Sequence, residues 1–215
     1  MNQPTIIPQL KNKIIIQLST GTPAEVRKAE QWFNQQGTKY LDGSIMVYPP
    51  TIGTQSAQLL ISGDENVYQD CEPFINALGG DVRYLGENIV AAATLDLAVV
   101  TRLVTITVAI IHGAHVCESE GVDLQQFADL FPEGDRSQSL ALKIKNSEFE
   151  KNISASVDVS FNVISSIKRQ ANDLGINSEL PDFLLGLYQP AIDAGYQHQD
   201  NSSLIKIFRQ HDRVT

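Results

Sequence analysis

The strongest candidate for chemistry in this sequence is an aspartate that interrupts an apolar stretch. Asp96 lies in the run TLDLAVV, among residues that a folded protein usually buries. Burial in an apolar cleft raises the pKa of a carboxyl because the charged form loses its solvation. Such a group can donate a proton to a developing amine or, once ionised, stabilise an iminium cation. The alternative is a buried aspartate that serves only a structural hydrogen bond to the backbone or to an arginine.

A cation follows six residues later, at Arg102. On a helix the side chains of Asp96 and Arg102 point about 120° apart, so they are not neighbours on one face. Arg102 is a candidate for binding a substrate carboxylate, because a guanidinium matches the geometry of a carboxylate. It is equally a candidate for an ion pair with an acid of a partner subunit, and the sequence leaves both open.

Two histidines further along the same stretch are weaker candidates for chemistry. His112 and His115 are three residues apart, and a metal site would need at least a third ligand. Cys117 is poorly placed to join them on one face of a helix. We therefore expect core or interface histidines and no metal site.

The composition excludes some classes of partner. The 215 residues carry 16 Lys and Arg against 25 Asp and Glu, a net charge of −9. Nucleic-acid binding depends on clustered Lys and Arg, so it is disfavoured.

The cysteines, Cys71 and Cys117, form no metal-type pair or disulfide framework, and free thiols fit a reducing cytoplasm. The stretch MNQPTIIPQLKNK also lacks the apolar core of a signal peptide, so we expect a cytoplasmic protein.

Residues 88–117 form the most apolar part of the chain. Asp96 and Arg102 interrupt it, and a charge at the centre of a bilayer costs about 2.5–3.5 kcal/mol, which argues against a transmembrane span. No Gly or Pro occurs in it before Gly113, and its length is implausible for a strand. The pattern predicts a long helix that is buried on several sides, with a partner subunit as part of its cover.

Strand and helix signals alternate through residues 1–86 and are typical of an α/β sheet, mixed or parallel. The first predicted helix has Thr22 as its N-cap and Pro23 at its first position, and Asp64 is the N-cap candidate of the next helix. The part after Gly86 is helical in pattern. The predicted domains are therefore 1–86 and 87–215, with the long helix as the connection. The predicted strands are KIIIQL, TKYLDGSIMV, QLLISG and VRYLG.

Four segments, in this order, resemble the imine reductase and reductive aminase family of the β-hydroxyacid dehydrogenase superfamily. They are LSTGTP, then YLDGSIMVYPPTIGT with its following LLISG, then YLGENIVAAATLDLAVV, and finally LPDFLLGLYQPAIDAGYQHQDNSSLIKIF. The resemblance implies a Rossmann domain, a long connecting helix and a C-terminal helical bundle. It also implies an interlocked homodimer, in which each active site lies between one Rossmann domain and the partner's bundle. We therefore expect an α/β region followed by an all-α region.

The resemblance gives roles to several residues. Asp96 matches the acidic residue that many imine reductases place beside the substrate nitrogen. Arg102 departs from the family, which usually has an apolar residue there. Val104 stands where some members carry a tyrosine, so that proton donor is absent.

The resemblance also points to substrate-binding residues outside the long helix. Tyr48 and Pro49 begin a loop that contacts substrate in the parent superfamily, although a Pro-Pro turn also suits a plain surface. Ser19 and Thr20, in LSTGTP, either bond a ligand or cap the following helix. Tyr196 and His198 lie where the family's C-terminal loop closes over the site.

The family's phosphate loop is not found in these 215 residues. Its motif, G-x-G-x-x-G, follows the first strand of the domain, where glycine backbone and a helix N-terminus hold the pyrophosphate. STGTP and Gly79-Gly80 have the wrong spacing. We expect that the chain lacks the first half of the Rossmann domain and binds no nicotinamide cofactor. A truncated sequence is one explanation; Pro4 and Pro8, which would blunt an exposed sheet edge, favour a naturally short protein.

Three functions remain open from the sequence. The first is a cofactor-free descendant of the imine reductases, which uses Asp96 for a non-redox step on an imine, iminium or enamine-like small molecule. Cyclisation, isomerisation and dehydration all fit, for example in secondary metabolism. The second is an NADPH-dependent reductase whose cofactor-binding half is missing from this sequence or supplied by another chain. The third is a non-catalytic binding or scaffold protein.

Overall fold

The computed structural model describes residues 7–47 and 51–211. The chain divides into two compact units, Met1–Val99 and Val100–Thr215. Sequence patterns placed the division after Gly86. In the structure the first turns of the long helix group with the first unit as well.

The first unit contains a four-stranded mixed sheet in the order β1-β2-β3-β4. The pairs β1–β2 and β3–β4 are parallel, whereas β2 and β3 are antiparallel. The α/β character predicted for this part of the chain is thereby confirmed. The strands are β1 (Ile14–Gln17), β2 (Lys39–Ile45), β3 (Gln58–Gly63) and β4 (Asp81–Tyr84), and the helices among them are α1 (Ile7–Leu10), α2 (Pro23–Gln35) and α3 (Glu65–Asn76).

Side chains close the N-termini of α2 and α3, as the sequence predicted. Thr22 accepts a hydrogen bond from the Glu25 N–H, and the Glu25 carboxylate accepts one from the Thr22 N–H, which is a complete capping box. Asp64 caps α3 by accepting from the Val67 N–H. These caps fix where each helix begins.

Both faces of β2, one of the two central strands, are covered, so its residues are buried continuously from 40 to 44. Leu41 packs with Leu59 and Ile61 on one face, and Tyr40 packs with Val26 of α2 on the other. Position 43 of β2 requires a glycine, because a Cβ there would lie 2.8 Å from the carbonyl oxygen of Leu60 in β3. The close approach of β3 therefore holds the backbone of β2 in place.

A single long helix, α4 (Ala91–Ser119), begins in the first unit and continues in the second. It agrees with the helix predicted over residues 88–117. By length and composition alone it could cross a membrane, and among the described residues it alone could do so. It also carries Asp96 and Arg102, and its first turn is hydrogen-bonded to the sheet, as expected of a core helix.

The second unit is helical in its described part, as predicted. Its core packs Ile111 of α4 against Ile144, Ile164 and Tyr188. A left-handed Gly175 ends one helix at φ 65°, a conformation that glycine adopts without strain. The elements after α4 are α5 (Leu124–Ala128), α6 (Arg136–Asn146), α7 (Val157–Leu174), α8 (Glu179–Asp193), a 3-10 turn (Asn201–Leu204) and α9 (Ile205–His211).

Candidate functional site

Asp96 lies in a buried polar cluster of the first unit. Its side chain is near the N-terminus of α4, and the residue is 5% exposed. The hydroxyls of Thr20 and Ser44 hydrogen-bond to its carboxyl. Burial raises the pKa of Asp96, and these two hydrogen bonds oppose the rise because they stabilise the ionised form.

The sheet explains why these groups converge. Thr20 follows β1 and Ser44 lies late on β2, and the carboxyl ends of these two parallel strands meet at one edge of the sheet. Thr20 is exposed whereas Ser44 is buried. A small molecule can therefore reach the hydroxyl side of the cluster, while the carboxyl of Asp96 stays shielded from bulk water.

A second carboxyl, Asp42 of β2, belongs to the same cluster. It is 1% exposed, and its carboxyl accepts a hydrogen bond from the backbone N–H of Ala93. Its Oδ2 atom has no hydrogen-bond partner among the residues that the structure describes. Burial, assisted by the nearby charge of Asp96, raises the pKa of Asp42 to about 7, against the lowering effect of the Ala93 hydrogen bond.

Sequence reasoning missed Asp42, although it lies in the YLDGSIMV motif. One signal could have revealed it, because aspartate is depleted in strands and this one stands in the middle of a strand. Its partner Asp96 is more than fifty positions away in the chain. Their proximity depends on how α4 docks on β2, which no local pattern encodes.

Together the four side chains can move a proton and hold a positive charge. Carboxyls with raised pKa values can exchange a proton with a bound molecule. Two hydroxyls can donate to or accept from a polar ligand. The cluster thus matches the acid–base role predicted for Asp96, a role that remains a prediction. Its members are Thr20, Asp42, Ser44 and Asp96.

The other candidates of the first unit lie apart from this hydrogen-bonded cluster. Ser19 is exposed, and its Oγ accepts a hydrogen bond from Gln17 Nε2 at 2.8 Å. The helix cap is Thr22 and not Ser19, which leaves ligand binding by Ser19 as an untested prediction. Tyr48 and Pro49 lie outside the described residues.

Three candidates belong to the second unit. Arg102 is exposed on α4. Tyr196 is half-buried, and the Lys206 ammonium lies 4.5 Å from the centre of its ring. His198 is largely exposed, with Nδ1 3.5 Å from Oδ2 of Asp158. Their roles in substrate binding remain predictions.

His112 and His115 line a pocket of the second unit together with Phe208 and Pro190. Both imidazole rings lie against the ring of Phe208, with centroid separations of 6.4 and 6.3 Å. The described residues contain no group of three His, Cys, Asp or Glu side chains that could hold a metal ion. The packing against Phe208 suits the expected role as core or interface residues.

Acceptors of the protein itself occupy the starts of α2, α3 and α4 in the first unit. The Glu25 carboxylate and the Thr22 hydroxyl occupy the N-terminus of α2, and Asp64 occupies that of α3. The first amides of α4 donate to Asn88, Ser62 and Asp42. A pyrophosphate needs free backbone N–H groups at a helix start, and at each of these three ends acceptors of the protein already use N–H groups of the first turn.

Comparison with known proteins identifies relatives of this chain among the reductive aminases. Residues 88–210 match the model of the NADPH-dependent reductive aminase-like C-terminal domain. An NADPH-dependent reductive aminase of Aspergillus oryzae (strain ATCC 42149 / RIB 40) is 25% identical over 210 residues, covering 93% of this chain and 70% of the relative.

Solved structures show the same fold. A 3-hydroxyisobutyrate dehydrogenase from Salmonella typhimurium superposes with a TM-score of 0.79 at 17% identity, covering 90% of this chain and 69% of the other. An imine reductase from Myxococcus stipitatus in complex with NADP+ gives a TM-score of 0.59 at 24% identity, covering 95% and 73%. The fold is therefore that of a partial Rossmann-like sheet followed by a helical domain.

Proposed function

The chain belongs to the NADPH-dependent reductive aminase-like family, and from this premise we propose that it acts on an imine- or iminium-type small molecule through Asp96. The step would be non-redox: a cyclisation, an isomerisation or a dehydration. The observation that carries the proposal is the shielded Asp96 carboxyl, with a raised pKa and hydroxyl donors from Thr20 and Ser44. Such a carboxyl is suited to proton transfer at carbon or nitrogen.

Isomerisation of an imine to an enamine illustrates the chemistry. The ionised Asp96 carboxylate removes a proton from the carbon next to the C=N bond. The electron pair of that C–H bond forms the C=C bond, and the π electron pair of the C=N bond takes a proton from solvent water at nitrogen; Asp96 then returns its proton to solvent. The Thr20 and Ser44 hydroxyls hold the carboxylate in one orientation throughout. When the nitrogen is already protonated, the same carboxylate stabilises the iminium cation.

One observation favours a reaction without NADPH. The helix ends described above are used by the protein's own acceptors, including the carboxylate of Glu25. An anion in the first turn of α2 repels a phosphate at the same place.

One observation favours an alternative, which is an NADPH-dependent imine reductase. The Aspergillus oryzae relative is NADPH-dependent by name and longer than this chain. In this alternative the cofactor-binding half is part of a longer form of the protein or comes from another chain. A non-catalytic binding or scaffold protein would keep the fold without using Asp96 in chemistry.

We also propose that the protein is a homodimer and works in the cytoplasm. Exposed apolar side chains occur where α7 ends and α8 begins, at Leu174, Ile176, Leu180 and Phe183. A second copy would remove them from water, as the family resemblance implies.

The free thiols of Cys71 and Cys117 suit a reducing compartment. The partners are then a small molecule and a second subunit, without nucleic acid, membrane or metal.

The test is hydrogen exchange in a simple imine without cofactor. In D2O, 2-methyl-1-pyrroline exchanges the protons next to its C=N bond through the enamine, and proton NMR follows the loss of signal. We expect the protein to accelerate this exchange above a buffer blank. A separate calorimetric titration with NADPH tests the alternative. Exchange at the blank rate, together with low-micromolar NADPH binding, would replace this proposal by the reductase.

A further inference from the structure

A lysine of the second unit lies between two aromatic rings. The Lys206 ammonium is 4.5 Å from the centre of the Phe149 ring and 4.5 Å from the centre of the Tyr196 ring. The face of an aromatic ring attracts a cation, and such contacts form within about 6 Å of the ring centre. The two rings therefore form an aromatic cage around one ammonium group, an arrangement that proteins use to bind ammonium ligands.

A hydrogen-bond acceptor completes the surroundings of this ammonium. Gln199 Oε1 accepts a hydrogen bond from Lys206 Nζ at 2.7 Å. The Nε2 atom of the same amide donates to Glu150 Oε1 at 3.0 Å, which keeps the amide oxygen directed toward the lysine. A primary ammonium has N–H donors and no acceptor, so an oriented carbonyl oxygen suits it. The site thus offers ring faces and an acceptor, the two features that a cationic amine needs.

The cage brings together segments that are far apart in the chain. Phe149 follows α6, whereas Tyr196 follows α8. Lys206 lies in α9 and contacts both rings. The backbone joins the same two segments beside the cage, because the Asp200 N–H donates to the Phe149 carbonyl at 2.8 Å. The lysine therefore lies where three segments of the second unit meet.

We propose that this cage is an ammonium-binding site which the chain fills with its own Lys206, and that the bound cation locks residues 195–200 in place. Tyr196 is then a positioning residue, because its ring face is taken by the lysine and is not presented to a substrate. His198 of the same segment keeps a side chain that is 81% exposed. The proposal is independent of the chemistry proposed for Asp96, which lies in the other unit.

The charge of Lys206 has to be separated from its length. Lysine side chains also pack their methylene groups along apolar surfaces without any role for the charge. Burial lowers the pKa of Lys206, and the Glu150 carboxylate acts against this change. The ring faces oppose the lowering as well, because they attract only the charged form. A substitution that removes the charge and keeps the length distinguishes an ammonium site from a packing contact.

The first test is Lys206→Met, since methionine is a long, unbranched side chain without charge or N–H donor. We expect the melting temperature, followed by circular dichroism, to fall by about 4 °C or more, because the attraction to two rings and the bond to Gln199 are lost. Lys151→Met, at an exposed lysine, is the control and should leave the melting temperature nearly unchanged. A Lys206→Met protein that melts like the wild type would overturn the proposal.

Substitutions of Tyr196 test the cage from the side of the ring. Tyr196→Phe keeps the ring face and should melt like the wild type, whereas Tyr196→Leu removes it and should melt earlier. In the Lys206→Met background Tyr196→Leu should cost less stability than in the wild type, because the cation is already gone. Additive losses in this double-mutant cycle would show that ring and lysine do not interact, which contradicts the cage.

Two further measurements are specific for the ammonium site. The protons on the Lys206 ε-carbon lie over two ring faces, so their NMR signal should be upfield of exposed lysines and should move back in Tyr196→Leu; Lys206→Met assigns it. In Lys206→Ala, propylammonium chloride restores the atoms that the substitution removes. It should raise the melting temperature more than sodium chloride at equal ionic strength or propanol.

Each of these results decides the proposal. Equal effects of propylammonium and propanol on Lys206→Ala would show that the site does not select a cation, and would overturn it. An ε-carbon signal of Lys206 at the position of exposed lysines would overturn it as well. If Lys206→Ala does not fold, the wild-type NMR signal and the melting temperature of Lys206→Met decide, because both are measured on folded protein.

Discussion

The backbone N–H of Ala92 donates a hydrogen bond of 3.3 Å to the hydroxyl of Ser62, so a strand of the sheet caps the helix that carries Asp96. The contact joins a residue of β3 to the first turn of α4. It satisfies a helix amide that the local sequence leaves open. The same hydroxyl donates to the Ile89 carbonyl at 2.8 Å and so also holds the residues that lead into the helix. The start of α4, one turn before Asp96, therefore depends on a contact with the sheet.

Replacing Asp42 by Ala should destabilise the first unit more than replacing it by Asn. At pH 5.5 the neutral acid and an amide both offer a carbonyl oxygen to the Ala93 N–H, whereas Ala leaves it unpaired. Loss of a helix cap costs about 0.5–2 kcal/mol. Urea unfolding followed by the fluorescence of Trp32, the single tryptophan, measures the difference. Equal losses for the two variants would mean that the cap contributes no stability.

The stability of the first unit should fall as the pH rises from about 4 to about 7. The pKa of Asp42 is raised from 3.8 in the unfolded reference to about 7 in the folded protein, so the folded state binds an extra proton in this range. The stabilisation is complete below the lower value and is lost as the pH passes the upper one. One proton changes the free energy of unfolding by up to about 1.4 kcal/mol per pH unit.

The control for this pH dependence is Asp42→Asn, which should remove the slope. Carboxylates with lowered pKa values, such as Asp81 and Asp158, act in the opposite direction but at lower pH. They lose their contribution as the pH falls below their ordinary range. A wild-type profile that is flat between pH 4 and 7 would show that Asp42 is ionised throughout.

Much of the fold was predictable from local sequence. The β-branched run predicted the first strand of the sheet. The caps Thr22 and Asp64 predicted where α2 and α3 begin. The long apolar run gave α4, because its length excludes a strand. The cap of α4 could not be predicted, since it comes from Ser62 in another element. The same kind of contact hid half of the candidate site: Asp96 stood out by its apolar neighbours, but Asp42 and Ser44 join it only once β2 and α4 meet.

The buried ion pair of the second unit should be essential to its stability. Lys143 Nζ lies 2.7 Å from Oδ2 of Asp200, with side chains that are 12% and 2% exposed. Lys143→Ala would leave the Asp200 carboxylate buried without its cation, a change that costs about 3–5 kcal/mol. Circular dichroism during urea unfolding measures it. The matched control is Lys151→Ala, which breaks a surface pair with Glu148 and should cost at most about 1 kcal/mol.

The proposed dimer should depend on the apolar surface where α7 ends and α8 begins. Phe183 is 61% exposed there, on the same face as Leu180. Phe183→Glu would bury a charge in the interface and should weaken association at least about tenfold, a change of about 1.4 kcal/mol. Sedimentation velocity measures the dissociation. Phe74→Glu, at an exposed position of α3, is the control and should leave the dimer intact; a stable wild-type monomer at micromolar concentration contradicts the prediction.

Asp96→Asn separates the catalytic role of this residue from a structural one. The amide keeps the size of the side chain and can still accept from Thr20 or Ser44, but it can neither neutralise a cationic nitrogen nor take its proton. A positioned acid or base contributes about 10²–10⁴-fold to a rate. The variant should therefore fold like the wild type and lose at least about a hundredfold of the protein-dependent exchange of 2-methyl-1-pyrroline.

A structural Asp96 predicts the reverse pattern. An aspartate that serves only its own hydrogen bonds would cost about 1–3 kcal/mol of stability on replacement and leave the exchange rate nearly intact. Melting temperature and exchange rate measured on one preparation distinguish the two cases. Asp70→Asn, which changes an exposed carboxyl of α3, should alter neither quantity. A destabilised but active Asp96→Asn protein would mean that the cluster holds α4 in place and that the chemistry, if any, occurs elsewhere in the chain.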